Sequence, residues 1–291
     1  FHFSKLLNTK KMILNTRFLK SFNSIVISAG LLGLVPYVNP AKAETPDLCK
    51  DKLTQTTTKK NIFTEDTTGV KAAFGGGEEG YCLGSPDKFE LTIFEMGLCT
   101  ENPISGDPKV FSKDNCVTTM SSQTVADLAG KTVNLPSADT RPANASYAYA
   151  YIVILNEFGL KGSISLGGTV YYSNSTGGVD NNIDNLSDHT EILDSFDNPD
   201  FIVDFGPYDM PTGGKVSALL TDGSLTRALS NTDVSRLVAV FETNAGSPVV
   251  ISDSVNGVEV ELQVADGGYG VSFVEGVPVD FGSAPFKPVF T

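Results

Sequence analysis

The ten residues SYAYAYIVIL, Ser146–Leu155, decide how this chain is to be read. Six of the ten are aromatic or β-branched, the residue types that suit a pleated, half-buried surface. They therefore predict a strand. After an NEFG turn at Asn156–Gly159, the segment GSISLGGTVYYS supplies the expected partner strand, with Gly167-Gly168 read as a bulge or bend within it.

The same grammar runs outward in both directions. Upstream, KFELTIFEM at Lys88–Met96 alternates Phe89, Leu91 and Ile93 with Glu90, Thr92 and Phe94, the period of a half-buried strand. Downstream, SRLVAVFET, VVISDS, VEVELQV and YGVSFV succeed one another, separated by NAGSP, VNG and ADGG turns. Val258, Val260, Leu262 and Val264 are placed on one face, and Glu259, Glu261 and Gln263 on the other. Turns at this spacing predict an all-β chain, an antiparallel β-sandwich or jelly-roll-like domain with long loops. Helix is expected only at Val125–Ala129 and after Ser187.

The N-terminal end reads as an export signal. From Met12, a basic stretch with Arg17 and Lys20 precedes the apolar run Ser24–Val38 and the small-x-small ending Ala41-Lys42-Ala43. That run is short for a membrane span, so residues 12–43 are predicted to be a signal peptide and residues 1–11 upstream translation. No transmembrane segment is expected beyond it. Residues 44–86 are assigned to an N-terminal arm and loop, and 87–291 to one β-sandwich domain. The alternative is two β domains split near 205–214, where DFGPYDMPTGG gathers prolines and glycines.

Cysteine usage agrees with export. Cys49, Cys82, Cys99 and Cys116 are an even set without CxxC spacing, so two disulfides are expected, Cys49 with Cys82 and Cys99 with Cys116, each closing a local loop. The predicted location is extracellular, at the cell surface or in the periplasm. The formal charge of −13 becomes −19 once residues 1–43, with six basic residues and no acid, are removed. A field of that sign repels phosphate backbones, so nucleic acid is excluded as a partner.

One stretch carries candidate chemistry. In DNNIDNLSDHTE, Asp180, Asn182, Asp184, Asp188 and Glu191 occupy positions one, three, five, nine and twelve of a calcium loop, and Leu186 would offer its backbone carbonyl at seven. Asn185 replaces the usual turn glycine, and the preceding YYSNSTGGV is strand-like, so the reading is a Ca2+ loop on a β scaffold. The competing reading is a solvated loop whose Ser187 or Asp188 caps the short helix HTEILDSF.

Other chemistries find less material. FGGGEEG at Phe74–Gly80 satisfies GxGxxG but lacks the strand and helix that a dinucleotide turn needs. His189 is the single imidazole after residue 43, and no GxSxG elbow occurs. Tyr147, Tyr149, Tyr151, Tyr171 and Tyr172 could stack on sugars, although tryptophan, the best stacking surface, is absent. The sequence thus predicts an exported structural or adhesive protein, not an enzyme, calcium-stabilised and associating with itself or with surface glycans. A calcium-assisted carbohydrate-binding module and a carboxylate-based hydrolase are the alternatives.

Overall fold

The structure, a computed structural model, describes residues 79–290 except 130–134, 137–140, 167–168, 197–200, 210–213, 244–246, 256–259, 265–267, 275–276 and 285. The first part of the chain contributes β1 (Glu79–Gly84), β2 (Lys88–Cys99), β3 (Ile104–Ser105), β4 (Val110–Phe111), β5 (Cys116–Met120) and β6 (Thr124–Asp127). The middle contributes β7 (Ala145–Tyr147), β8 (Tyr149–Lys161), β9 (Ser163–Leu166), β10 (Thr169–Ser173), β11 (Val179–Asp180) and β12 (His189–Ile192). The remainder is β13 (Asp204–Asp209), β14 (Lys215–Thr221), β15 (Arg236–Glu242), β16 (Val249–Ile251), β17 (Val260–Gln263), β18 (Tyr269–Val274), β19 (Val277–Ser283) and β20 (Lys287–Phe290).

Every strand pairing is antiparallel, and the described residues contain no α-helix. The chain is all-β. Its pairing resolves into one eight-stranded sheet in the order β13-β14-β15-β8-β2-β5, with β12 beside β8 and β6 beside β2, plus smaller sheets around it. Tyr149–Leu155 of the opening decapeptide lie in β8, at the middle of the large sheet, while Ser146 and Tyr147 belong to β7, paired with β16.

Both faces of that centre are covered, which is why its strands read as continuous apolar runs. Val216–Leu220 of β14 and Leu237–Phe241 of β15 are buried throughout, as are Ala150–Ile154 of β8. On one face Phe286 meets Phe89 and Phe241, with ring centroids 6.2 and 5.7 Å apart, and Phe89 meets Phe158 edge-on at 6.1 Å. On the other, Phe111 of β4 packs edge-on against Tyr151 at 5.4 Å. β2 lies farther out and keeps the expected alternation, with Phe89, Leu91 and Ile93 buried and Glu90, Thr92 and Phe94 half-buried.

Several local expectations are corrected. The NEFG segment is not a turn: β8 runs through it to Lys161, because β2 continues alongside as far as Lys88↔Lys161. The segment after it pairs internally, Leu166 with Thr169, so GSISLGGTVYYS is two strands. Both predicted helices are strands. Val125 lies in β6, held by the Leu91↔Ala126 and Ile93↔Thr124 pairings, and His189–Ile192 is β12, paired with β8. In each case sheet pairing overrode a weak local helix preference.

In the Pro/Gly-rich stretch, Asp204–Asp209 forms β13, which pairs with β14 at an edge of the large sheet. Gly206 adopts φ +82°, and a Cβ there would lie 2.4 Å from the Val216 carbonyl oxygen, so only glycine fits that bend. At the other end, Glu79–Gly84 of the predicted arm is β1, hydrogen-bonded to β18. In the C-terminal third β18 and β19 pair in sequence, but β16 pairs with β7 and β17 with β20. Cys99 and Cys116 form a disulfide across the paired β2 and β5. Cys49 lies outside the described residues, so its predicted pairing with Cys82 does too. No helix among the described residues is long and apolar enough to cross a membrane.

Candidate functional site

The loop bearing the predicted calcium ligands is closed by Ser173. Its hydroxyl accepts from the Gly162 N–H at 3.1 Å and donates to the Ser187 carbonyl at 3.1 Å, while the Ser187 N–H donates to the Ser173 carbonyl at 3.0 Å. Ser173 is fully buried, and these bonds satisfy its polar atoms. The loop therefore projects from β10 and returns to the same place.

Within it, the candidate oxygens serve the loop's own backbone. Asp180 Oδ1 accepts from Asn182 N at 2.7 Å and its Oδ2 from Asn185 Nδ2 at 2.8 Å; Asn182 Oδ1 accepts from Asp184 N at 3.1 Å and caps the 3-10 turn Ile183–Asn185. These are Asx turns, in which a short side chain stands in for a backbone acceptor. Leu186 closes the turn, its N–H donating to the Ile183 carbonyl at 3.0 Å.

The last two predicted ligands lie elsewhere. Asp188 pairs with Lys88 at 3.0 Å and with Lys161 at 3.5 Å. The Lys88 hydrogen bond, opposed by a little desolvation, holds the Asp188 carboxyl below its ordinary range and Lys88 above its own. Glu191 Oε2 accepts from the Ser283 N–H at 2.6 Å, and burial of the carboxyl raises its pKa. Asp180, Asn182, Asp184 and Leu186 thus share one loop, while Asp188 and Glu191 are committed to other elements. Among the described residues, no group of three or more His, Cys, Asp or Glu side chains is gathered as around a metal ion. His189–Ile192 runs as β12, and a strand's period of two aims His189 and Glu191 to one face.

That face of β12 packs against the C-terminal strands. His189 is 6 % exposed, and neither ring nitrogen has a partner of hydrogen-bonding geometry. Burial pushes its pKa down, against smaller upward effects from the Phe281 backbone and Asp188. Beside it, Tyr269 stacks on Phe281 at 5.0 Å and ends against Gly162, where a Cβ would come within 2.9 Å of the hydroxyl. A folded-state pKa below the unfolded 6.5 means that the unfolded chain takes up the proton first. Stability from neutral His189 is therefore complete above about pH 6.5 and declines as pH falls toward the lowered value. His189→Leu should flatten that part of the stability–pH curve measured by urea unfolding, and an unchanged slope would show that other groups cause it.

A second polar cluster was not foreseen from the sequence. Glu95 of β2 accepts from Lys113 Nζ at 2.9 Å, from Thr118 Oγ1 at 3.3 Å and from the Tyr151 hydroxyl. Burial, helped by the Glu95 hydrogen bond, pushes the Tyr151 pKa far up, so this phenol stays a donor. Arg236 of β15 lies over the Phe94 ring at 3.7 Å, and at the β13 edge Asp204 takes Arg227 at 2.6 Å and Lys109 at 3.8 Å. These contacts tie the 101–115 and 222–235 loops to the sheet. Their signal in the sequence is faint: single charged residues among strand and loop residues that also read as solvated. The tyrosines do not form a shared platform. Tyr147 and Tyr151 are core residues, and Tyr149, Tyr171 and Tyr172 are half-buried.

The geometry defines a class, an all-antiparallel-β chain clasped by a disulfide between neighbouring strands. Compared with protein-family models, with curated proteins and with solved structures, the chain matches none.

Proposed function

We propose that the protein is exported and serves a structural or adhesive role at the cell surface, in the extracellular space or in the periplasm. The observation that carries this reading is the Cys99–Cys116 disulfide set within an entirely antiparallel framework. Disulfides persist in oxidising compartments, and the export signal read at residues 12–43 points the same way. The polar contacts of Glu95, Asp204 and Ser173 support the role further, because each fastens a loop to a sheet.

Calcium enters the proposal through Asp180, Asn182 and Asp184, which share the loop pinned by Ser173. A ligand that prefers the folded state raises its stability. Fractionation of the source cells with thiol alkylation should find the protein outside the cytoplasm, its N-terminus at Glu44 and Cys99 and Cys116 unalkylated. Recovery from the cytoplasm with both thiols reduced would sink the reading. In parallel, millimolar calcium should raise the melting temperature above that in chelator, and Asp180→Ala should abolish the rise. An unshifted wild-type melt would remove calcium and leave the structural role.

A further inference from the structure

The eight-stranded sheet ends in two edges of opposite character. β13 is shut: its backbone is bent at Gly206, Pro207 lacks a donor, the register shifts between Phe205 and Tyr208, and Asp204 is held by Arg227 and Lys109. Bulges, prolines and charges are the usual means of preventing a strand from adding at an edge. The opposite edge has few of them. β5 and β6 run in line along β2, from Cys99↔Cys116 to Glu90↔Asp127. They cover the ten residues Glu90–Cys99 of β2, about 30 Å at ~3.3 Å each, with one register shift at Met96/Gly97 and Ser121–Gln123 joining the two strands. Among the described residues no strand pairs with its outer side.

The composition of that edge, CVTTMSSQTVAD, contains no proline and one charge. The charge is Asp127, whose carboxylate turns inward to accept from Phe89 N at 3.0 Å and Ala129 N at 3.1 Å. The ladder also fixes which backbone groups face out. The Leu128 N–H donates to Phe89 O, and alternation along an antiparallel pair then directs the N–H and C=O of Val125 away from β2. The Val125 side chain is 57 % exposed.

We propose that two copies of the chain pair antiparallel along β5 and β6, extending the large sheet across a two-fold axis, and that association stops at two because β13 is shut. This rests on the structural role proposed above and names its partner as a second copy. The choice of a copy rests on charge: in a chain with a net charge of −13, the edge CVTTMSSQTVAD brings a single carboxylate, Asp127, which is bonded to Phe89 N and Ala129 N. An antiparallel edge is also self-complementary, since the same strand reversed offers the same outward groups, the condition for a closed isologous pair.

Sedimentation of the purified full chain over a range of micromolar concentrations tests this. The expected result is a monomer–dimer equilibrium that tightens with added salt as acidic repulsion is screened. Val125→Pro deletes an outward donor, and Val125→Lys adds charge while keeping the backbone. Each should weaken dimerisation at least about tenfold with the melt of the monomer little changed. Pro207→Ala at the shut edge should leave the dimer intact. A chain monomeric throughout, a dimer untouched by both Val125 variants, or open-ended filaments would overturn the inference. The first outcome leaves the exported structural role standing, because that role fails on cell fractionation instead.

Discussion

Phe286→Ala is expected to destabilise the protein by about 3–5 kcal/mol, the range for truncating a buried aromatic ring. Phe286 sits 5 % exposed between Phe89 of β2 and Phe241 of β15, two strands separated in the sheet by β8. One ring thus fastens the chain's C-terminal end across the large sheet, and its removal leaves a cavity bordered by strands too well paired to collapse into it. Leu229→Ala is the control: Leu229 is 85 % exposed, so its loss should change stability by no more than about 0.5 kcal/mol. Urea unfolding measures both. A loss near ~1 kcal/mol for Phe286→Ala would mean that the C-terminal segment contributes little to the core.

That contact also shows where sequence reading succeeded. Patterns carried by single strands were legible: β2 alternates as read, and SRLVAVFET and most of SYAYAYIVIL are strands, because side-chain period and residue preference are local properties of a strand. Pairing was not legible, since partners are chosen by packing at a distance. NEFG has the composition of a turn, yet β2 on one side and β12 on the other hold it extended. Asp180, Asn182 and Asp184 share the acidic loop, while Asp188 bonds Lys88 and Glu191 bonds Ser283. The short helix expected after Ser187 was misread for the same reason. Pairing with β8 draws His189–Ile192 out as a strand instead. Glu95 and Asp204 escaped notice because an acid becomes informative only when its cationic and hydroxyl neighbours come from other parts of the chain.

Replacing Cys99 and Cys116 together by alanine should cost about 3 kcal/mol, as expected for releasing a crosslink over a loop of this size. The residues are 17 apart, and Cys99 is fully buried, so alanine avoids burying a hydroxyl without a partner. The cost should be local in its first expression. β5 leans on the sheet through β2 alone, and Gly97 there lets Tyr151 approach so closely that a Cβ would stand 2.3 Å from the ring. Without the crosslink, β5 should exchange its amide hydrogens sooner, while β14 and β15, buried on both faces, keep the protection of the whole fold. Unfolding of the wild-type chain in reductant should then match the double variant in oxidant. A difference under about 1 kcal/mol would show that the β2–β5 ladder holds the edge unaided. Loss of dimer together with β5 protection would tie the crosslink to assembly, since an edge that frays offers no fixed register to a second copy.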